Sequence, residues 1–191
     1  MNNLCVRIFM RAAGLDRDEV DVWGKTTSPE YLAKYPAHLT PMLEEDGLLK
    51  HALGESCAVM AYLCNKHCLD RFYPTTRPPR DGRQRELLLD RHLLSAAHAR
   101  DVPDALADPL EVLHTFFMDG QPFIGGDHPS IADIRLGATL EFLRAIDYGF
   151  PAWPEEYMAR MEETLGDAYS EPAADVRGWV EQAKSASAVS A

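Results

Sequence analysis

A proline-marked turn and a polar helix start in the N-terminal half have the residue types to form a pocket for a small anion. Thr40-Pro41 opens a short apolar run, where proline removes an amide donor at a strand edge. Glu55-Ser56 begins an apolar-periodic helix, and the first amides of a helix have no partner within it. Those amides and the Ser56 hydroxyl could hold a carboxylate. Spacing alone favours a plainer role, in which Glu55 and Ser56 only cap the helix.

The charge balance limits the classes of partner. Lysine and arginine number 19 against 30 acidic residues in a chain of 191, which gives a formal net charge of −11. A general nucleic-acid binder needs a basic face, so nucleic acid is not an expected partner. An anionic ligand must instead be held by local groups, and the nearest candidates in the N-terminal half are His38, Arg7 and Arg11.

Compartment and metal content are predicted from apolar runs and from cysteine usage. No apolar run approaches the ~20 residues that span a bilayer, and the N-terminus has no secretory core, so we predict a cytoplasmic protein that is not a membrane partner. The four cysteines lie unevenly in the first 68 residues, which favours reduced thiols. The segment "CNKHC" lacks a second ligand pair at zinc-finger spacing, and no metal cofactor is predicted.

The order of elements predicts an α+β chain of two parts. A helical stripe of Cys5, Ile8, Phe9 and Ala12 runs to Gly14, and "EVDVW" alternates like a strand with Val20 and Val22 on one face. A helix capped by Ser28, a hairpin and the Glu55-Ser56 helix follow. We predict an N-terminal domain over residues 1–70, a linker over 71–82, rich in proline and arginine, and an all-helical domain over 83–191.

The second half contains a recognisable helix start. Ser130 and Asp133 form the acidic variant of a capping box ahead of an apolar helix, and we assign both to structure. Upstream, "RQRELLLDRHLLSAAHAR" predicts one helix with leucines for packing. Histidines at 92, 98 and 114 lack carboxylate spacing for a metal and are expected at the surface.

Four motifs together carry a family resemblance. The sequence "YPAHLTPML", a hairpin, "ESCAVMAYL" and "PFIGGDHPSIADI" resemble the cytosolic glutathione S-transferases, nearest to theta-like and delta-like bacterial and insect members, over most of the chain. The resemblance implies a thioredoxin-like N-terminal domain, an all-α C-terminal domain and a homodimer. It implies that Thr40 and cis-Pro41 contact the cysteinyl part of glutathione, Glu55 and Ser56 its γ-glutamyl end, and His38 its glycyl carboxylate.

Two departures from the family leave the chemistry open. The family begins with a strand, and its catalytic residue lies on or just after that strand. This sequence instead has Met1-Asn2-Asn3 where the loop before the first helix is expected. Asn2 or Asn3 could donate a hydrogen bond to the glutathione thiolate. Without the first strand, "EVDVW" would expose an edge, which an unconventional dimer or an upstream start of the native chain would cover. The helical stretch between Tyr73 and Phe123 is also short, so the pocket for the second substrate is expected to be small, open or absent.

Three functions remain open at this point. The leading one is a transferase that binds glutathione as co-substrate and joins its sulfur to a small electrophile, whose identity the sequence does not give. The alternative is a non-catalytic binding or scaffold protein of the same fold that has lost the activating residue. The third is a glutathione-dependent thiol-disulfide reductase using Cys5, which requires an accessible thiol.

Overall fold

The computed structural model describes residues 2–48, 51–73, 102–118, 120–145 and 148–189. Within these ranges the chain forms α-helices, one antiparallel hairpin and a π-helical turn, which confirms the predicted α+β class. The elements in chain order are α1 (Asn2–Ala12), α2 (Pro29–Lys34), β1 (Met42–Glu44), β2 (Ala52–Gly54), α3 (Ser56–His67), α4 (Val102–Val112), the π-helical turn (Leu113–Met118), α5 (Ile131–Ala145), α6 (Ala152–Leu165) and α7 (Asp167–Val189).

Helix α1 is the centre of the core. Cys5, Ile8 and Phe9 of the predicted stripe are fully buried, because α1 packs against α3, α5 and α7 at once. The Phe9 ring meets Phe72 edge-on, with ring centroids 5.5 Å apart. The N-terminal helix is therefore packed against elements from both halves of the sequence, and the two halves share one hydrophobic core.

Helix α2 and the hairpin form as their sequences predict. The Tyr31 amide donates to the Ser28 hydroxyl at 3.3 Å, which makes Ser28 the N-cap, and Pro29 occupies the first turn, where its missing N–H has no consequence. Strands β1 and β2 pair antiparallel, with Met42 opposite Gly54 and Leu43 opposite Leu53.

The prediction of a strand at "EVDVW" is wrong. Residues 15–22 have no regular secondary structure, and Val20 is 76% exposed and Trp23 81% exposed. A strand requires a hydrogen-bonded neighbour, and among the described residues β1 and β2 pair only with each other. The alternating apolar residues of this segment therefore do not pack against the core, as the exposure of Val20 shows. The exposed strand edge that it implied is not present either.

The capping box of the helical part is confirmed. The Ala132 amide donates to the Ser130 hydroxyl at 3.2 Å, and the Ser130 amide donates to the Asp133 carboxylate at 2.9 Å. Helix α6 ends at Gly166, whose φ of 55° suits a residue without a side chain. The helix predicted over residues 83–100, with its histidines at 92 and 98, lies outside the described residues.

Candidate functional site

The hairpin places the residue pairs Thr40-Pro41 and Glu55-Ser56 at the same end of its ladder. The Thr40-Pro41 peptide bond is cis, and Pro41 directly precedes β1. Because Met42 is paired with Gly54 in antiparallel register, the residue before Met42 and the residue after Gly54 lie at one end of the hairpin. Thr40-Pro41 and Glu55-Ser56, which flank the hairpin in the sequence, therefore border the same region at the start of α3.

Helix α2 holds the loop that leads into the cis-proline. The Tyr31 hydroxyl donates to the Leu39 carbonyl at 2.6 Å, and the Tyr31 side chain is buried. Burial raises the pKa of Tyr31, so the hydroxyl remains protonated and keeps donating at physiological pH. This bond fixes the backbone one residue before Thr40.

Gly54 allows a tyrosine to approach the start of α3. A β-carbon at Gly54 would lie 2.1 Å from the Tyr35 ring, so any larger residue would displace that ring. The Tyr35 hydroxyl donates to the Glu55 carboxylate at 3.5 Å, and burial followed by the nearby Glu55 charge raises the pKa of Tyr35. Glu55 has a φ of 66° and its side chain makes no cap hydrogen bond. Its carboxylate is exposed and does not perform the plainer capping role.

Ser56 is bound by an arginine from the helical half. Ser56 is 4% exposed and Arg135, on α5, is 6% exposed. One Arg135 terminal nitrogen donates to Ser56 Oγ at 2.9 Å and to Asn2 Oδ1 at 2.7 Å, and it lies 3.5 Å from Cys5 Sγ. This cluster joins α1, α3 and α5 at the predicted anion site. The Ser56 side chain is therefore oriented by Arg135, which is a different role from the cap expected on spacing alone.

Arg135 was not identified as a site residue from the sequence. A signal was present, because Arg135 is the only basic residue in the apolar run "IADIRLGATL", and a charge within a core helix requires a polar partner. The basic residues proposed instead are engaged elsewhere. Arg7 pairs with Glu19 at 3.0 Å and with Asp175 at 2.9 Å. Arg11 pairs with Glu171.

The remaining predicted site residues are placed less centrally. Asn2 and Asn3 are the first two residues of α1, so the expectation that they belong to a loop ahead of the helix is wrong. Their position follows from the regular backbone of α1, which extends to the start of the described chain. Asn3 is exposed. His38 is also exposed, and its backbone amide donates to the Tyr35 carbonyl at 3.1 Å.

Cysteines and histidines in the described ranges form no cluster with metal-binding geometry. Groups of three or more potential ligands are absent from those ranges. In "CNKHC", Cys64 is buried in the core while His67 Nε2 lies 3.5 Å from Arg17. His114 stacks on Trp153 with centroids 5.1 Å apart. None of the helices in the described part of the chain combines the length and hydropathy needed to cross a membrane.

Comparison with known proteins connects this geometry to one family. Residues 5–70 match the model of the glutathione S-transferase N-terminal domain. Residues 89–181 match the model of the glutathione S-transferase C-terminal domain. The two matches follow one another in the family's order and together cover most of the chain.

Solved structures of similar proteins agree with the family models. A glutathione transferase of Bombyx mori is 26% identical, with a TM-score of 0.71 over 93% of this chain and 92% of that one. A delta-class glutathione transferase of Nilaparvata lugens is 22% identical, with a TM-score of 0.77 over 95% and 94%. Human glutathione transferase theta-2, solved in complex with glutathione, is 21% identical, with a TM-score of 0.80 over 96% and 86%.

The family models and the solved structures indicate the same fold, a thioredoxin-like N-terminal part followed by a helical C-terminal part. The small hairpin and α1 to α3 belong to the first, and α4 to α7 belong to the second. The chain is therefore a member of the glutathione S-transferase family.

Proposed function

We propose that this protein binds glutathione and conjugates its sulfur to a small electrophilic substrate. The observation that carries the proposal is the hairpin register, which sets cis-Pro41 beside Glu55 and Ser56 at the start of α3. A helix N-terminus favours a carboxylate, because its first amides point outward and the helix dipole is positive there. The glutathione complex of human theta-2 transferase, which shares the fold, adds support.

The residue roles follow the family resemblance. The Thr40 backbone, displayed by cis-Pro41, would bond the cysteinyl part of glutathione. The exposed Glu55 carboxylate would take the positively charged α-amino group of the γ-glutamyl end, and the Ser56 hydroxyl its α-carboxylate. His38 would meet the glycyl carboxylate at the opposite end of the tripeptide.

The chemical step would be nucleophilic attack by the glutathione sulfur. Loss of the thiol proton to solvent gives the thiolate, which supplies the electron pair for the new sulfur-carbon bond while the leaving group departs with its own pair. A hydrogen bond to the sulfur stabilises the anion and lowers the thiol pKa. Asn2 is the better candidate for this donor, since its amide oxygen accepts from Arg135 and the NH2 group is the part of the amide that can donate. Asn3 is the second candidate.

A non-catalytic binding or scaffold role is the alternative. It is favoured by the position of Asn2 and Asn3 inside α1, where both backbones are committed to the helix. A thiol-disulfide reductase using Cys5 is disfavoured, because Cys5 is 0% exposed and its thiol donates to the Asn2 carbonyl at 3.1 Å. Alkylation of Cys5 in the folded protein, with Cys5→Ser as control, would be rapid only under the reductase reading.

Calorimetric titration with reduced glutathione tests the binding half of the proposal. Wild-type protein should give saturable heat, and Ser56→Ala should weaken binding about tenfold or more, because a hydroxyl bond to a carboxylate is lost. Ser185→Ala is the matched control, since that hydroxyl bonds only its own helix at the Glu181 carbonyl, 2.8 Å away. Absence of saturable binding at millimolar glutathione would reject the proposal.

Turnover separates the transferase from the binding protein. Glutathione-dependent release of halide from a halogenated dinitrobenzene, above the rate without protein, would support the transferase. Saturable binding without turnover across a panel of electrophiles would select the non-catalytic role.

The assembly, compartment and domain limits are proposed on the same basis. We infer a cytoplasmic homodimer from the family resemblance, which sedimentation at several protein concentrations would test. We also infer a division into residues 1–70, a linker over 71–82 and a helical domain over 83–191. The ranges of the two family models support this division.

A further inference from the structure

Arg135 lies where the helical half meets the proposed glutathione site. It is on α5, two positions beyond Asp133, and its side chain reaches across to α3 and α1. Its bond to Ser56 Oγ measures 2.9 Å and its bond to Asn2 Oδ1 measures 2.7 Å, and both use the same terminal nitrogen. All three atoms are held together in a site where Ser56 and Arg135 are buried.

The direction of these bonds determines what Ser56 can do. A serine hydroxyl has one proton to donate and two lone pairs to accept with. The Arg135 guanidinium has only donors, so it occupies a lone pair of Ser56 and leaves the hydroxyl proton available. A bond from a charged donor is stronger than a neutral one, and it limits the rotation of the side chain.

We propose that Arg135 is a positioning residue, which orients the Ser56 hydroxyl so that its proton points at the carboxylate of the γ-glutamyl end of glutathione. This inference rests on the proposed function. Arg135 acts through Ser56 and does not itself contact the ligand. Asn2 provides the second anchor, and it keeps the guanidinium plane in place when the ligand leaves.

The acidic net charge of the chain explains why a fixed Ser56 hydroxyl would help to bind an anionic ligand. With a formal net charge of −11, the overall field repels an anionic ligand, so its carboxylate depends on local donors. A hydroxyl that rotates freely would spend part of its time directed away from the ligand. Fixing it before binding lowers the entropy lost on association, which tightens binding without a new ligand contact.

A double-mutant cycle measures this role directly. The dissociation constant for reduced glutathione is determined by calorimetry for wild type, Arg135→Met, Ser56→Ala and the double variant. We expect Arg135→Met to weaken binding about tenfold, as loss of a bond to a charged group implies. Because Arg135 acts through Ser56, the double variant should bind no more weakly than Ser56→Ala alone.

Arg177→Met is the matched control for lost stability in the helical half. Arg177, on α7, donates to the buried Glu141 carboxylate of α5 at 2.9 Å and 2.5 Å, so its replacement also removes a charged donor from a buried polar group of α5. Its loss should lower the melting temperature while leaving the glutathione dissociation constant within about twofold, since Arg177 pairs with Glu141 and Glu162, which are not among the residues proposed to bind glutathione. Arg135→Lys, which retains one charged donor, should bind glutathione more tightly than Arg135→Met.

Four results would overturn the inference. In the first two, Arg135→Met binds glutathione within twofold of wild type, or more tightly than wild type. In the third, the increases in the dissociation constant of the two single variants multiply in the double variant. In the fourth, Arg177→Met loses as much glutathione affinity as Arg135→Met. If Arg135→Met shows no cooperative thermal transition, the same cycle is built with Arg135→Lys. The inference is then overturned if the increases in the dissociation constant of the two single variants multiply in the double variant. Absence of glutathione binding by wild type would instead reject the proposed function itself, and this inference with it.

Discussion

Two buried charges lie two residues apart on α5, and they differ in where their partners come from. Asp133 accepts hydrogen bonds from the Ile124, Gly125 and Ser130 amides and from two hydroxyls, all within the helical half. Arg135 reaches instead to Ser56 on α3 and Asn2 on α1. Asp133 therefore stabilises the start of α5 through local contacts, whereas Arg135 connects α5 to the proposed ligand site.

The contrast separates a structural charge from one with a proposed role in binding. The partners of Asp133 are mainly backbone groups of the loop and turn just before α5, which are present in any ligand state. The partners of Arg135 are side chains at a junction between elements, and one of them is the residue proposed to hold glutathione. Substitutions that affect stability and binding differently can therefore test the comparison.

Replacing Asp133 should have the largest effect on stability. Asp133→Ala leaves several buried donors without an acceptor, and we expect the free energy of unfolding to fall by about 3–5 kcal/mol. Urea denaturation measures it, and Asp108→Ala on the exposed face of α4 is the control for the same chemical change. A loss below about 1 kcal/mol would contradict the central place given to this carboxylate.

Replacing Arg135 should cost less stability but should also alter glutathione binding. Arg135→Met removes the charged donor to Asn2 and Ser56, and we expect a loss of about 2 kcal/mol in the free energy of unfolding. The same urea experiment compares it with Asp133→Ala. If Arg135→Met proves the more destabilising of the two, the distinction between a structural charge and a positioning charge is lost.

Tyr157 sharpens the comparison through its pH dependence. Burial, followed by the charge and hydrogen bond of Asp133, raises the pKa of Tyr157 well above its ordinary value of 10. The unfolded chain loses this proton near pH 10 while the folded chain retains it, so the stability from this group is fully present below pH 10 and falls as pH rises beyond it.

Tyr157→Phe should therefore flatten the alkaline loss of stability. At neutral pH we expect this variant to be about 1–2 kcal/mol less stable, since its bond to a buried carboxylate is removed. Urea denaturation at pH 8 and again above pH 10 gives both values. An alkaline slope equal to that of wild type would show that Tyr157 does not contribute to it.

Ser130 should give the smallest effect. Ser130→Ala removes the N-cap oxygen that accepts from Ala132, and cap losses are typically about 1 kcal/mol. The melting temperature should fall by a few degrees while glutathione binding stays unchanged, with Ser185→Ala as the control. A change in the glutathione dissociation constant would mean that the capping box and the binding site are coupled, contrary to the separation drawn between Asp133 and Arg135.

The local features of this protein could be predicted because they depend on residues close together in sequence. Ser130 and Asp133 are three positions apart, and the backbone geometry of a helix start is enough to bring them together. The same holds for Ser28 ahead of α2 and for the buried stripe of α1. The segment "EVDVW" failed for the opposite reason, because a strand depends on a partner that its own sequence does not specify.

The sequence by itself determined the capped helices, the apolar stripe of α1, the acidic net charge, the proline turn at Thr40-Pro41 and the polar helix start at Glu55-Ser56. Only the tertiary structure decided that Arg135, 79 positions from Ser56 and 133 from Asn2, would be the arginine that joins them. The physical reason is the range of the interactions. Caps and helical stripes are set by backbone periodicity, whereas a contact between α5, α3 and α1 exists only after their apolar faces have packed together.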